Sequence, residues 1–177
     1  MSCYPVRRST RLQNYNYAEA GAYFVTLCLE QRMPLLGEVV GAEVQLSPAG
    51  KMVDAIWQNL ETFYCGVSLD AHVTMPNHFH GILVLDEDVR GVDGSSPRGR
   101  ITVSAVAGRF KSYTAHLYGT GVAARGWPPY PGRLWQRGFH DRIIRNEREL
   151  EAIREYILYN PLRWHLDREN PDGQHGR

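Results

Sequence analysis

The sequence predicts an α+β fold in a single domain, on three observations. Apolar residues make up 43% of the 177 residues, enough for a packed core and too many for a disordered chain. Short β-branched and aromatic runs alternate with apolar residues at helical spacing. The mass, 20.2 kDa, is that of one domain able to bury roughly two-thirds of its surface.

The elements follow in order. Tyr23–Leu29 reads as a strand, being aromatic and β-branched. Ser47 before Pro48 supplies a helix N-cap, and Met52, Ile56, Leu60 and Phe63 recur at helical spacing, so a helix runs to about Thr62. Val67–Met75 and His78–Leu85 are two further strands, and the Pro76-Asn77 break between them suits a tight hairpin turn. Asp86–Arg100 is rich in Gly, Ser and Pro and reads as a loop. Val103, Val106, Phe110, Tyr113 and Leu117 mark a second helix over Thr102–Tyr118, and Gly119–Gly132 reads as another long loop. Trp135–Ile144 is the fourth strand. Asn146 with Glu149 forms a capping-box pattern, and the helix it opens reaches about Tyr159 before Pro161 stops it. The order β-α-β-β-α-β is that of a ferredoxin-like antiparallel sheet, with one additional C-terminal helix. Residues 1–20 form a basic arm, 21–165 the domain, and 166–177 a polar tail.

Composition narrows the function classes. No apolar run approaches the roughly 18 residues that argue for a membrane helix. The N-terminal stretch has basic residues but no apolar core of a secretory signal. Cys3, Cys28 and Cys65 show no CxxC spacing and fit a reduced, cytoplasmic chain. The net charge of +1 hides an asymmetry: residues 1–89 carry 5 basic and 10 acidic side chains, residues 90–148 carry 11 and 3, and residues 149–177 carry 4 and 6. The middle block is a phosphate-binding surface, or folds against the acidic parts and cancels.

Two patterns carry chemistry. In His78-Phe79-His80 the histidines share one strand face, about 7 Å apart, while Phe79 faces the other way. Such a pair either converges on a cation or is a polar-face pair without a ligand. Tyr156 and Asn160 are four apart on the last helix and so lie on one face. Asn160 alternatively caps that helix, and Tyr159 rivals Tyr156 as a nucleophile. His140-Asp141 is a further polar pair. His72, six residues before His78, is left out of the site because the intervening turn scrambles strand parity.

Met75-Pro76-Asn77-His78-Phe79-His80-Gly81, followed by Leu134-Trp135-Gln136-Arg137-Gly138-Phe139-His140-Asp141-Arg142-Ile143-Ile144-Arg145 and Tyr156-Ile157-Leu158-Tyr159-Asn160-Pro161-Leu162-Arg163, resembles the single-tyrosine HUH transposases, and within them the REP-associated tyrosine transposase branch. The resemblance spans roughly residues 20–165. It implies a ferredoxin-like domain that cuts and joins single-stranded DNA beside a hairpin. It makes His78 and His80 paired metal ligands and Tyr156 the nucleophile that forms a 5′-phosphotyrosine. Asn160, where relatives often have Gln, becomes a third ligand through its amide oxygen.

The ion expected is Mg²⁺ or Mn²⁺: imidazoles suit Mn²⁺, and amide and phosphate oxygens suit both. Arg98, Arg100, Arg109, Lys111, Arg142 and Arg145 are the expected phosphate contacts, joined by Arg7, Arg8 and Arg11 of the arm, which would reach a hairpin's minor groove. Trp127 and Tyr130 would stack on unpaired bases or pack within their own loop. Relatives in the wider family often form dimers, so a homodimer is an open expectation. A DNA-hairpin-binding protein that has lost catalysis is the alternative reading.

Overall fold

The computed structural model describes residues 20–91, 101–167 and 169–171. In chain order the elements are β1 (Gly21–Cys28), β2 (Gly37–Val40), β3 (Glu43–Leu46), α1 (Pro48–Gln58), β4 (Tyr64–Thr74), β5 (His78–Gly91), α2 (Val103–Arg125), β6 (His140–Ile144) and α3 (Glu147–Leu158). The main sheet has the order β4-β5-β1-β6, and every neighbouring pair is antiparallel. This is the four-stranded ferredoxin-like α+β sheet that the sequence predicts, with the added helix at its C-terminal end.

Strand alternation sorts the side chains into two layers. Tyr23, Val25 and Leu27 of β1 and Phe79, Leu83 and Leu85 of β5 face α1 and α2, where they bury Val53, Trp57, Val103, Val106 and Phe110. Trp57 lies 4.6 Å from Phe79, and Phe79 lies 5.5 Å from Phe110, ring centre to ring centre. Gly81 belongs to this layer because Trp57 sits on it: a Cβ there would come within 2.5 Å of the indole. The opposite face carries α3. Its cluster is small, made of Ile82 and Ile144 from the sheet against Ile153 and Ile157. An ion pair fastens it further, with Arg154 Nε and Nη2 donating to Asp70 of β4 at 2.9 and 2.6 Å.

The helix starts read from the sequence are made by side chains. Ser47 accepts from the Gly50 amide, Thr102 from Ala105, and Asn146 from Glu149. The Pro76-Asn77 turn closes β4 onto β5, with the Met75 amide donating to the His78 carbonyl at 2.9 Å.

Five features differ from the sequence reading. β5 runs on to Gly91, six residues into the segment read as a loop, because Tyr64 and Cys65 of β4 pair with Gly91 and Arg90. The β2–β3 hairpin was not foreseen, because its strands are short, largely solvent-facing and pair only with each other. The first helix ends at Gln58, and Leu60–Phe63 form a 3-10 turn instead of its last turn. The second helix continues to Arg125, through the first half of the segment read as a loop. Trp127 packs flat on Gly121, whose Cβ would come within 2.1 Å of the ring, and Gly126 closes the helix in the left-handed region at φ 68°. The last strand begins at His140 and not at Trp135, because the carbonyls of Gln136, Arg137 and Gly138 all turn to the Lys111 ammonium, at 2.6, 3.2 and 3.0 Å. Trp135 makes a single bridge to Leu29 and donates its indole N–H to Thr114.

Candidate active site

His78 and His80 stand on the α3 face of β5, in register with Cys28 and Thr26 of β1. Both are buried, and their rings lie 4.6 Å apart. Each is oriented through Nδ1. His78 Nδ1 lies 2.9 Å from Asn77 Oδ1, and the Asn77 amide nitrogen donates to the carbonyls of Arg32 and Glu169. Asn77 therefore offers His78 only an acceptor, which places the ring proton on Nδ1 and leaves Nε2 as a bare lone pair. His80 Nδ1 meets the Thr26 hydroxyl at 2.8 Å.

α3 brings Tyr156 over this pair. Its hydroxyl lies 3.4 Å from His80 Nε2, and its ring stands edge-on to Phe24, which itself stacks on His80. The phenol is partly exposed, so an incoming group can reach it. Asn160 lies just beyond the end of α3 and is buried at 3% exposure, its amide oxygen without a hydrogen-bond partner. Tyr156 and Asn160 both line one cleft with Phe24, Thr26, His80, His140, Arg163, Asp167 and Glu169. Across Tyr156 and Phe24 it continues into a groove carrying Arg142, Asn146 and Arg148.

Burial sets the protonation of the site. It pushes both imidazoles below the ordinary histidine value, and His80 falls further because a charge on His78 would oppose its own. The carboxylates of Asp167 and Glu169 pull His78 partly back. Burial, helped by Asp167, also raises the Tyr156 phenol, which is protonated at neutral pH. Cys28, beneath His78, is pushed up to about 12 by burial and by Glu169, so it is a neutral thiol.

The residues fit a cation. His78 Nε2 and Asn160 Oδ1 are both buried and make no hydrogen bond among the described residues, a cost in free energy that a bound cation would offset. Among the described residues, His78, His80 and Asp167 offer ligand atoms that all lie within 4.8 Å of one another, and could hold a metal ion. Asp167 was missed in the sequence, where nothing marks one acidic residue of a polar C-terminal stretch. The described residues of that stretch are not detached from the domain: Glu169 pairs with Arg32 at 2.9 Å and Asn170 is buried.

The remaining expected residues scatter. Arg142 lies on the site face, opposite Phe24, with Glu149 3.4 Å away. Arg145 is exposed at the end of β6, and its amide donates to Glu149. Arg109 and Lys111 lie on α2, across the sheet from the histidines. Arg109 rests over the Tyr64 ring, and Lys111 is engaged by its three carbonyls. Trp127 and Tyr130 both pack on Tyr118, ring centres 5.3 Å away, so the local-packing alternative describes them. His140 lines the cleft, while Asp141 is opposite Val25 and faces the other layer, so the two are not a pair in the site. His72 faces the helix layer, bonded to Asp54 at 3.3 Å. Tyr159 is exposed beneath the Arg163 guanidinium and does not line the cleft. Arg7, Arg8, Arg11, Arg98 and Arg100 lie outside the described residues. No helix among the described residues is long and apolar enough to cross a membrane.

No family model matches the chain. It is 33% identical over 164 residues to an uncharacterized protein of Haemophilus influenzae, covering 91% of each chain, and the two belong to one family. Among solved structures, a REP-associated tyrosine transposase bound to a REP hairpin is similar at a TM-score of 0.59 and 21% identity, over 88% of this chain and 74% of that one. The fold is shared with that transposase.

Proposed function

We propose that this chain cuts single-stranded DNA beside a hairpin and passes the cut end to another strand through a covalent bond to Tyr156. The observation that carries the reading is one cleft lined by Tyr156, His80 and Asn160, with the accessible tyrosine hydroxyl 3.4 Å from the buried His80 and the His78 ring 4.6 Å behind it. The shared fold supports it, since the similar structure holds a REP hairpin.

Tyr156 Oη attacks the scissile phosphorus, forming one P–O bond as the P–O3′ bond breaks. The phenolic proton is released in that step, and the leaving oxygen takes up a proton to become a free 3′-OH. The number of phosphoester bonds is unchanged, so a second 3′-OH reverses the step and joins strands without ATP. His78 and His80, with Asn160, would hold Mg²⁺ or Mn²⁺, which withdraws charge from a non-bridging phosphate oxygen when bound. Asn77 and Thr26 keep the imidazoles aimed. Phe24 offers a ring beside the nucleophile, Arg163 offers positive charge in the cleft and Arg142 and Arg148 in its continuing groove, and Arg145 is a further phosphate contact in this reading. Arg7, Arg8, Arg11, Arg98 and Arg100 are further phosphate contacts in this reading.

The test is cleavage of hairpin-flanking oligonucleotides in Mg²⁺ or Mn²⁺. Wild type and Tyr159→Phe form a covalent adduct, whereas Tyr156→Phe, His78→Ala and His80→Ala do not. Binding of the hairpin should weaken steeply with salt. Tight, salt-sensitive binding with no adduct under either metal would instead establish the non-catalytic alternative.

A further inference from the structure

We propose that Asp167 is a ligand of the cation at His78 and His80, so that the site is a two-histidine, one-carboxylate centre that binds its ion before DNA arrives. The inference rests on the reading of the histidine pair as cation ligands, and goes beyond it by naming an anionic ligand from outside the three resembling motifs.

The geometry is directional. The Glu169 amide donates to Asp167 Oδ1 at 2.8 Å, which leaves Oδ2 turned toward His78 Nε2 at 3.8 Å. That separation is too long for a hydrogen bond. It is close to the roughly 3 to 3.5 Å that divides two atoms each bonded at about 2.1 Å to one ion. The Asp167 side chain is only 9% exposed and His78 is 0% exposed, so the carboxylate faces the bare imidazole nitrogen in a nearly dry setting.

The segment carrying it is held in place. Asn77, the residue that fixes the His78 tautomer, also donates to the Glu169 carbonyl at 2.6 Å. Arg32 pairs with Glu169, and Asn170 donates to the Trp164 carbonyl. One asparagine thus sets both the imidazole lone pair and the backbone that presents the carboxylate. Two neutral imidazoles and an amide oxygen offer an ion no net charge. A carboxylate adds one, and the resulting set favours Mn²⁺ over Mg²⁺, which prefers oxygen ligands.

The experiment is a titration of the DNA-free, full-length protein with MnCl₂, reading free Mn²⁺ by electron paramagnetic resonance. Wild type binds one Mn²⁺ per chain. Asp167→Asn weakens that binding by about tenfold or more, since loss even of an outer partner costs a metal site that much. Asn160→Ala weakens it less, and Asp167→Glu, which keeps the carboxylate, retains most of it. Metal-free thermal unfolding of Asp167→Asn matches wild type, which separates a lost ligand from a lost fold. If Asp167→Asn binds Mn²⁺ like wild type while His78→Ala does not, Asp167 is not a ligand and the histidine reading stands. Asp167 is equally excluded as a ligand if Asp167→Glu binds Mn²⁺ no better than Asp167→Asn. If wild type itself binds no Mn²⁺, the histidine reading falls and this proposal with it.

Discussion

One β-hairpin presents histidines to both faces of the sheet, and the two faces treat them differently. His72 looks toward α1: its Nε2 is bonded to Asp54, and its ring stacks on Phe79 at 6.0 Å. It is a satisfied structural group. His78 and His80 look toward α3, where His78 Nε2 makes no hydrogen bond among the described residues and His80 Nε2 lies 3.4 Å from the hydroxyl of Tyr156. All three are imidazoles of the same hairpin, His72 half-buried on β4 and the other two buried on β5; what separates structure from chemistry is whether Nε2 is already used. The layers differ in the same way. The α1/α2 face is an aromatic core closed around Trp57, Phe79 and Phe110, whereas the α3 face has a smaller, isoleucine-centred cluster with the cleft beside it.

Five substitutions sharpen this contrast. Phe79→Ala removes the core side of the His-Phe-His strand and should cost about 3–5 kcal/mol in denaturant unfolding. His80→Ala, one residue away, should abolish strand cleavage with an unfolding midpoint much nearer wild type. If the two variants lose equal stability, the division of labour between faces is wrong. Gly81→Ala drives a methyl into Trp57 and should destabilise by about 1–3 kcal/mol, showing that the glycine after the histidines serves the core.

Lys111→Met releases three carbonyls and should also lose about 1–3 kcal/mol, as charged hydrogen bonds do. Were Lys111 a phosphate contact instead, the variant would keep its stability and show a shallower salt dependence of DNA binding. The smallest effect belongs to the satisfied histidine. Asp54→Asn should cost about 1 kcal/mol or less, since the contact is partly solvated. The Asp54 carboxyl is held below its ordinary value by its bond to His72. Its contribution is therefore complete above the ordinary carboxylate range and is lost as pH falls through the lower folded value. Acid unfolding of Asp54→Asn should show that step missing.

The fold was legible because its signals are local. Alternation named four strands, caps at Ser47 and Asn146 named two helix starts, and the antiparallel order followed from connectivity. Boundaries failed where a distant partner decides them. Nothing near residues 136–138 says that a lysine on another element will collect their carbonyls, and nothing near Gly119 says that Trp127 will cover Gly121 and let the helix run on. The site divides along the same line. The i+2 and i+4 spacing singled out His78, His80, Tyr156 and Asn160, the resemblance gave them roles, and the structure brings all four to one region. Asp167 was not, because the contact that makes it notable spans 89 residues of sequence and depends on Asn77 holding the returning chain.

The central claim is that Tyr156, and not its exposed neighbour Tyr159, becomes bonded to DNA. The most direct measurement is peptide mapping by mass spectrometry of protein incubated with a hairpin-flanked oligonucleotide and Mn²⁺, locating the residue that carries the nucleotide remnant. The remnant is expected on Tyr156, through its 5′ phosphate, in wild type and in Tyr159→Phe alike. A remnant on Tyr159, or an adduct that survives Tyr156→Phe, would contradict it.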